Sequence, residues 1–196
     1  MNYISKILLL TCAVAAPFAS CDTDTLHNLN INPQALNEVN MNFLFSAAQL
    51  GAASGGAEGD NRYIDWRTNI GYAAYWMQHL ANSGAGGLAA GDKYFENVES
   101  DNAPWEFIYG GQLKNLTEVL KQTGTGGFEE GKRENTREAA RILRAFLFMR
   151  LTDYYGNIPY TEAVQGIEGI FLPTYTSQQD IYTDLLKELK EAGDAI

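Results

Sequence analysis

Cys21 is the side chain whose surroundings are chemically most distinctive. Apolar residues 7–16 and the small Ala19 and Ser20 precede it, and acids follow it at positions 22 and 24. In such a place a cysteine could be a nucleophile, half of a disulfide, or a point of covalent attachment. The basic Lys6 and a ten-residue apolar run are typical of a signal peptide, because a membrane-spanning helix needs about 20 residues. Removal of residues 1–20 would also remove Cys12, so Cys21 would be alone in the mature chain and could form no internal disulfide.

The residues around Cys21 favour a lipid. Residues 18–21, Phe-Ala-Ser-Cys, resemble the bacterial lipobox, in which the cysteine is acylated and the chain is cut just before it. Each buried methylene contributes about 0.8 kcal/mol, so two or three acyl chains hold a protein on a membrane. We therefore predict a lipoprotein signal peptide over residues 1–20, lipid attachment at Cys21, and a lipid-anchored acidic linker over residues 21–32. The alternative is an ordinary secretory signal with a chance cysteine.

The acids after Cys21 carry a second hint. They resemble the export signal of Bacteroidetes lipoproteins, which implies the outer leaflet of the outer membrane. Asp, Thr and Asn dominate residues 22–32, which is equally typical of a solvated linker. The two interpretations are compatible.

Other chemical motifs are weak. His27 and His79 are far apart, and no cluster of His and Cys supplies the three or four ligands that zinc requires. Residues 84–89 match a loose dinucleotide fingerprint but follow a predicted helix instead of a strand. Glu129 and Glu130 could in principle serve glycoside cleavage, although such a pair in a glycine-rich loop is usually solvated. We predict no metal, no cofactor and no enzymatic activity.

Charge restricts the partners. The net charge is −10 and the isoelectric point is about 4.6, so nucleic acid is an unfavourable partner. Aromatic residues are plentiful, with 11 Tyr, 9 Phe and 3 Trp. Such side chains serve either a core or a stacking surface.

Apolar periodicity predicts a mostly α protein. Helices are predicted over residues 41–53, 63–83, 112–123 and 134–155, and Ser177 with Asp180 resembles a capping box that opens a fifth. Trp105 falls in residues 100–105, which are predicted to form a loop. The last pattern still runs at Ile196, so we expect the sequence to be a fragment.

The predicted helices carry apolar stripes. Over residues 63–83 two stripes leave a choice between a central core helix and a helix with one side covered by something else; core packing is favoured. Three arginines of helix 134–155 are expected to face solvent. In residues 63–83 the first stripe is Trp66, Ile70, Ala73, Met77 and Leu80, and the second is Tyr72, Tyr75, Trp76 and His79. Helix 134–155 is expected to turn inward Leu143, Phe146, Leu147, Leu151 and Tyr154, and outward Arg137, Arg141 and Arg144. The fifth helix is expected to turn inward Ile181, Leu185 and Leu189.

Residues 151–163, Leu-Thr-Asp-Tyr-Tyr-Gly-Asn-Ile-Pro-Tyr-Thr-Glu-Ala, closely resemble the hallmark of the SusD/RagB family of outer-membrane nutrient-binding lipoproteins. Residues 29–33 and 173–182 resemble two further family segments. The hallmark positions are Tyr155, Gly156, Asn157, Pro159 and Tyr160, and Asn157 stands where the family more often has Asp. Gly156 is expected to end the helix in the left-handed conformation, and Pro159 to fix the turn after it.

The resemblance implies a SusD-like scaffold of tetratricopeptide-like helix pairs with long loops, of which residues 33–196 are the N-terminal part. It implies a surface-exposed outer-membrane lipoprotein that captures a glycan or peptide and passes it to a SusC-like TonB-dependent transporter. The alternatives are a lipid-anchored glycan-processing enzyme and a helical scaffold lipoprotein that binds no small ligand.

Sugar chemistry supplies the candidate ligand contacts. A sugar ring stacks its apolar face on Trp or Tyr, and its hydroxyl rim hydrogen-bonds to amide or charged side chains. Trp105 is the favoured anchor because binding residues concentrate in loops. The other candidate anchors are Trp66 and Trp76, and the candidate rim partners are Arg67, Asn69, Asn102 and Tyr109.

Overall fold

A computed structural model describes residues 39–53, 64–84 and 90–196. The predicted signal peptide, the linker and Cys21 lie outside the described residues. None of the described helices is long and apolar enough to cross a membrane.

The described residues are mostly helical, as predicted. The α-helices are α1 (Met41–Ala52), α2 (Ala74–Trp76), α3 (Val98–Phe107), α4 (Lys114–Thr123), α5 (Glu134–Tyr155) and α6 (Gln178–Ala195). Segment π1 (Ile64–Ala73) is a π-helix that leads into α2, and π2 (Ile108–Leu113) is a π-helix that joins α3 to α4. Short 3₁₀ helices cover Ala90–Lys93 and Gly166–Glu168. Strands β1 (Ile158–Pro159) and β2 (Tyr175–Thr176), which the sequence did not predict, pair antiparallel.

Side chains cap three of these helices. Asn40 and Asn97 accept hydrogen bonds from the first turns of α1 and α3. Ser177 accepts from the backbone N of Asp180, and its hydroxyl donates to the Asp180 carboxylate at 2.6 Å. Ser177 is therefore confirmed as the N-cap of the fifth helix, and Asp180 bonds back to the Ser177 hydroxyl, where a capping box would use the backbone N of Ser177.

The core lies where α1, π2 and α4 pack with α5 and α6. Large apolar side chains from each element are fully buried there, so the amphipathic patterns of α1, α4, α5 and α6 were correct at their centres. The core includes Met41, Ala48, Ile108, Leu113, Leu116, Val119, Leu147, Leu151, Ile158, Ile181 and Leu185.

The helix predicted over residues 63–83 is wrong in two respects. The helical part ends at Trp76, and three residues of its first apolar stripe face solvent: Trp66 is 53% exposed, Ile70 57% and Met77 68%. Residues four apart still share a side, but the buried ones are Thr68 and Tyr72. The π-helix accounts for part of the error, because a single 3.6-residue period cannot run through a segment with i→i+5 bonds.

Helices α5 and α6 differ from prediction at their edges. Phe146 and Leu189, expected inside, are 40% and 39% exposed and line an apolar groove between the two helices. The small Ala145 is buried against α6 instead, which lets the helices approach closely.

The prediction that the arginines of α5 face solvent is also wrong. Arg137 donates to the carbonyl of Leu120 at 2.6 Å, near the end of α4. Glu188 of α6 is buried and binds Arg144 at 2.5 Å and Arg141 at 3.4 Å. These charges join helices because a carboxylate on α6 faces them, which periodicity within α5 could not reveal.

The hallmark turn joins α5 to β1. Gly156 has φ 74° and ψ −118°, so its positive φ is confirmed, but its ψ lies outside the left-handed helical region. These angles match the first central position of a type II′ turn, which glycine dominates. Pro159 lies in β1, and the Asn157 side-chain oxygen accepts from the backbone N of Gln178 at the start of α6, at 3.1 Å.

Helix α3 contains the residues predicted to form a loop, and that prediction is wrong. Pro104 removes the N–H that would bond to the carbonyl of Ser100. The buried hydroxyl of Thr68 donates to that carbonyl instead, at 2.7 Å. The proline is therefore tolerated because π1 supplies the missing hydrogen bond.

Candidate functional site

An exposed aromatic surface forms where α2 ends. Trp76 is 36% exposed and packs edge-on against Tyr72 and Tyr94, with ring centroids 5.7 and 5.1 Å apart. Tyr94 is 60% exposed. Gly91 lies beneath Trp76, since a Cβ on it would come within 2.7 Å of the Trp76 Cδ1 atom. We call Trp76 and Tyr94 the aromatic platform.

Polar groups border the aromatic platform. The amide nitrogen of Gln78 donates to the carbonyls of Tyr75 and Asp92, both at 3.2 Å. The Asp92 carboxylate accepts from the backbone N of Asn82 at 2.9 Å. Aromatic rings beside amide and carboxylate groups are a combination that suits a sugar ring with a hydroxyl rim.

Two backbone positions at the aromatic platform are strained. Gln78 has φ 58° and Tyr94 has φ 56°. Positive φ in a non-glycine residue costs of order 1–3 kcal/mol and is concentrated at functional sites. The aromatic platform therefore has two backbone positions that the surrounding structure must hold in place.

A second feature, a cleft of about 300 Å³, lies between π1 and α3. Arg67 forms an ion pair with Glu99 at 2.9 Å on its wall. Asn102 also lines the cleft, so the structure brings together two of the predicted rim partners.

Trp105, by contrast, belongs to a group of packed rings. Tyr109, Tyr155 and Tyr175 surround it at centroid distances of 5.0, 5.2 and 6.2 Å. The Tyr109 hydroxyl donates to the carbonyl of Pro159 at 2.5 Å. We call Trp105, Tyr109 and Tyr155 the interior cluster, because their rings pack against the core.

The Tyr155 hydroxyl bonds to two backbone groups of helix α3. It accepts from the backbone N of Trp105 at 3.2 Å and donates to the carbonyl of Asp101, two groups that an unbroken α-helix would pair directly. Burial raises the pKa of Tyr155 to about 12, so the hydroxyl keeps its proton at neutral pH. The hallmark tyrosine therefore has a structural role next to Pro104.

Asp101 joins three helical segments. Its carboxylate oxygens lie 3.4 Å from the Tyr72 hydroxyl and 3.5 Å from the Tyr154 hydroxyl. Burial raises the pKa of Asp101, and the hydrogen bonds from the two tyrosines oppose that shift. Tyr72 also touches Trp76, so Asp101 links the aromatic platform to α5.

The predicted ligand residues thus lie in different places. Trp105 and Tyr109 are in the interior cluster, Arg67 and Asn102 line the cleft, Trp76 is in the platform, and Trp66 is exposed on π1. Their roles in ligand binding remain predictions. Sequence reasoning missed Gln78 and Tyr94, because a helix predicted to run through residue 83 gave no reason to expect a turn at Gln78.

The carboxylates of Glu129 and Glu130 both interact with groups in their own loop. Glu129 forms an ion pair with Arg133, and Glu130 accepts from the backbone N of Gly126 at 2.9 Å. Within the described ranges, no group of three or more His, Cys, Asp or Glu side chains could hold a metal ion.

The fold and its exposed rings define a helical scaffold with an aromatic surface. A family model described as "Starch-binding associating with outer membrane" matches residues 33–196, so the chain belongs to the SusD-like family. A search of curated proteins found no match. The resemblance seen in the hallmark residues is confirmed.

Two solved structures support the same family membership. A structure titled "chitin-binding protein" is 29% identical with a TM-score of 0.66, and covers 80% of this chain and 31% of its own. A structure titled "Bacteroidetes AC2a SusD-like" is 32% identical with a TM-score of 0.60, and covers 81% of this chain and 27% of its own. The mostly α, tetratricopeptide-like fold is therefore confirmed, and the chain spans less than a third of the length of these two structures.

Proposed function

We propose that the chain captures a neutral oligosaccharide at the aromatic platform, as part of a lipid-anchored nutrient-binding protein of the outer membrane. One observation carries the proposal: the partly exposed ring of Trp76 contacts the exposed ring of Tyr94, and polar groups border the two rings. The family description, starch-binding and associated with the outer membrane, agrees with this chemistry.

The platform has the physical properties that sugar capture requires. The exposed rings of Trp76 and Tyr94 offer apolar surface to the C–H face of a sugar ring. The net charge of −10 disfavours acidic polysaccharides, which leaves neutral glycans as the favoured ligand. The reaction is binding without bond cleavage.

Anchoring and delivery complete the proposal. Acyl chains on Cys21 would hold the protein at the cell surface, and a SusC-like TonB-dependent transporter would receive the ligand. The support is the lipobox-like residues 18–21 and the family's association with the outer membrane. Mass spectrometry of protein from native outer membrane should find acyl chains on Cys21 and a co-eluting TonB-dependent barrel, and Cys21→Ala should lose the acyl chains. An unmodified protein that elutes alone would refute this part.

Binding is tested by titrating the chain with maltoheptaose and with chitohexaose. If Trp76 is the stacking ring, Trp76→Ala should weaken binding at least tenfold, as for a central aromatic contact. Trp105→Phe is the matched control, because it keeps an aromatic ring in the interior cluster, and it should bind as the wild type does. Equal binding by Trp76→Ala and wild type would refute the site.

A further inference from the structure

Gln78 occupies a position where helices usually have glycine. The backbone N of His79 donates to the carbonyl of Ala74 at 2.9 Å, and the backbone N of Gln78 donates to the carbonyl of Tyr75 at 3.0 Å. These two bonds after α2 are those of a Schellman motif, whose left-handed residue is usually glycine. With φ 58°, Gln78 is that residue.

The side chain of Gln78 explains why glycine is absent. Its amide nitrogen bridges the carbonyl of Tyr75, in α2, and the carbonyl of Asp92, in the 3₁₀ helix Ala90–Lys93. Glycine would satisfy the backbone and lose this bridge. The bridge joins two segments that are 14 residues apart in sequence.

The bridged segments carry the two rings of the aromatic platform. Trp76 lies two residues before Gln78, and Tyr94 lies two residues after Asp92. Tyr94 has a strained backbone of its own, at φ 56°, and its N–H donates to the carbonyl of Gly91 at 2.9 Å. Both strained residues therefore adjoin one contact, the edge-on packing of Tyr94 and Trp76.

We infer that Gln78 is a positioning residue: its amide holds the segment 90–94 so that Tyr94 and Trp76 form one surface before ligand arrives. The inference rests on the proposed function for its effect on affinity, but the geometry it asserts does not depend on ligand. Preorganisation of this kind raises affinity because the rings need not be ordered on binding.

The test compares three variants of the 196-residue chain. Gln78→Gly relieves the strained φ and removes the bridge, so it should unfold at or above the wild-type temperature yet bind maltoheptaose about fivefold more weakly. Gln78→Ala removes the bridge and keeps the strain, so it should lose both affinity and stability. Gln165→Ala is the matched control, because Gln165 also donates from its amide to a backbone carbonyl, that of Thr161 at 2.9 Å, and it should leave affinity unchanged.

A second readout separates this inference from the proposed function. The nuclear Overhauser effect between the Trp76 and Tyr94 rings, measured without ligand, should be strong in wild type and in Gln165→Ala and weak in Gln78→Gly. A contact that persists in Gln78→Gly, or wild-type affinity in that variant, would overturn the positioning role. If wild type binds no oligosaccharide, the proposed function fails, and the ring contact still decides the role of Gln78.

Discussion

Trp76 and Trp105 are the same residue type in opposite situations. The partly buried ring of Trp105 contacts three tyrosine rings, and its backbone N and the hydroxyls of Tyr109 and Tyr155 all have partners inside the protein. Trp76 contacts Tyr72 and Tyr94 and is 36% exposed, beside strained residues and polar groups. An aromatic residue is thus assigned to structure or to binding by what remains open around it, and its sequence context alone does not decide.

The interior cluster and the aromatic platform also differ in what they contribute to stability. The interior cluster stabilises the fold by packing against the core and by completing the hydrogen bonds of α3. The aromatic platform carries backbone strain that a protein optimised only for stability would avoid. We therefore expect substitutions in the first region to change stability and those in the second to change binding.

The largest effect is expected at Trp105. Trp105→Ala should lower the free energy of unfolding by about 3 kcal/mol, because it leaves a cavity among packed rings. Trp76→Ala should cost about 1 kcal/mol, since much of that ring is already exposed. Chemical denaturation measures both, and equal losses would break the distinction between the two regions.

Thr68 should give the next largest effect, because it connects π1 with α3. Thr68→Val should cost about 2 kcal/mol by leaving the buried carbonyl of Ser100 without a partner. Pro104→Ala restores an N–H at the correct place in the helix, so Thr68→Val should cost much less in that background. A double-mutant cycle with no coupling between the two sites would show that Thr68 does not compensate for the proline.

Gly156 adjoins the interior cluster through Tyr155. Gly156→Ala should cost about 2 kcal/mol through backbone strain alone, because a Cβ there meets no atom within 4 Å. Gly156→Asn should cost as much, since asparagine tolerates the left-handed helical region but not ψ −118°. Gly166→Ala, which also meets no atom and lacks a positive φ, is the control and should melt with the wild type. If Gly156→Asn were as stable as the wild type, residue 156 would instead lie in the ordinary left-handed helical region.

Asn157 should give the smallest effect, and one of opposite sign. A carboxylate at this position would face the N-terminus of α6 and interact favourably with its partial positive charge. Asn157→Asp should therefore raise the free energy of unfolding by about 0.5 kcal/mol at low salt, and less at high salt. Thermal melts at two ionic strengths check both parts, and a stability gain that is independent of salt would argue against the helix-terminus explanation.

The sequence predicted those parts of the fold that depend on local pattern. Helices α1, α4, α5 and α6 follow the 3.6-residue period, and Ser177 and Gly156 act where capping and turn chemistry place them. The prediction failed where a distant group decides the outcome. Helix α3 continues through Pro104 because Thr68 and Tyr155 supply hydrogen bonds from elsewhere, and π1 follows a different period.

The candidate site was only partly predictable for the same reason. Trp76, Arg67 and Asn102 were chosen from residue chemistry, and the structure places them at an exposed surface or in a cleft. Gln78 and Tyr94 could not be found, because their importance comes from positive φ and from a contact between separate segments. Trp105 was favoured on the expectation of a loop, which the structure replaces with a helix.

The most direct test uses the three tryptophans of the chain, which give three indole N–H signals in a ¹⁵N correlation spectrum. The signals are assigned with Trp66→Phe, Trp76→Phe and Trp105→Phe, and the wild type is then titrated with maltoheptaose and with chitohexaose. Capture at the aromatic platform predicts that the Trp76 signal shifts with saturation while the Trp105 signal stays in place. A saturable shift of Trp105 with Trp76 unchanged would contradict it.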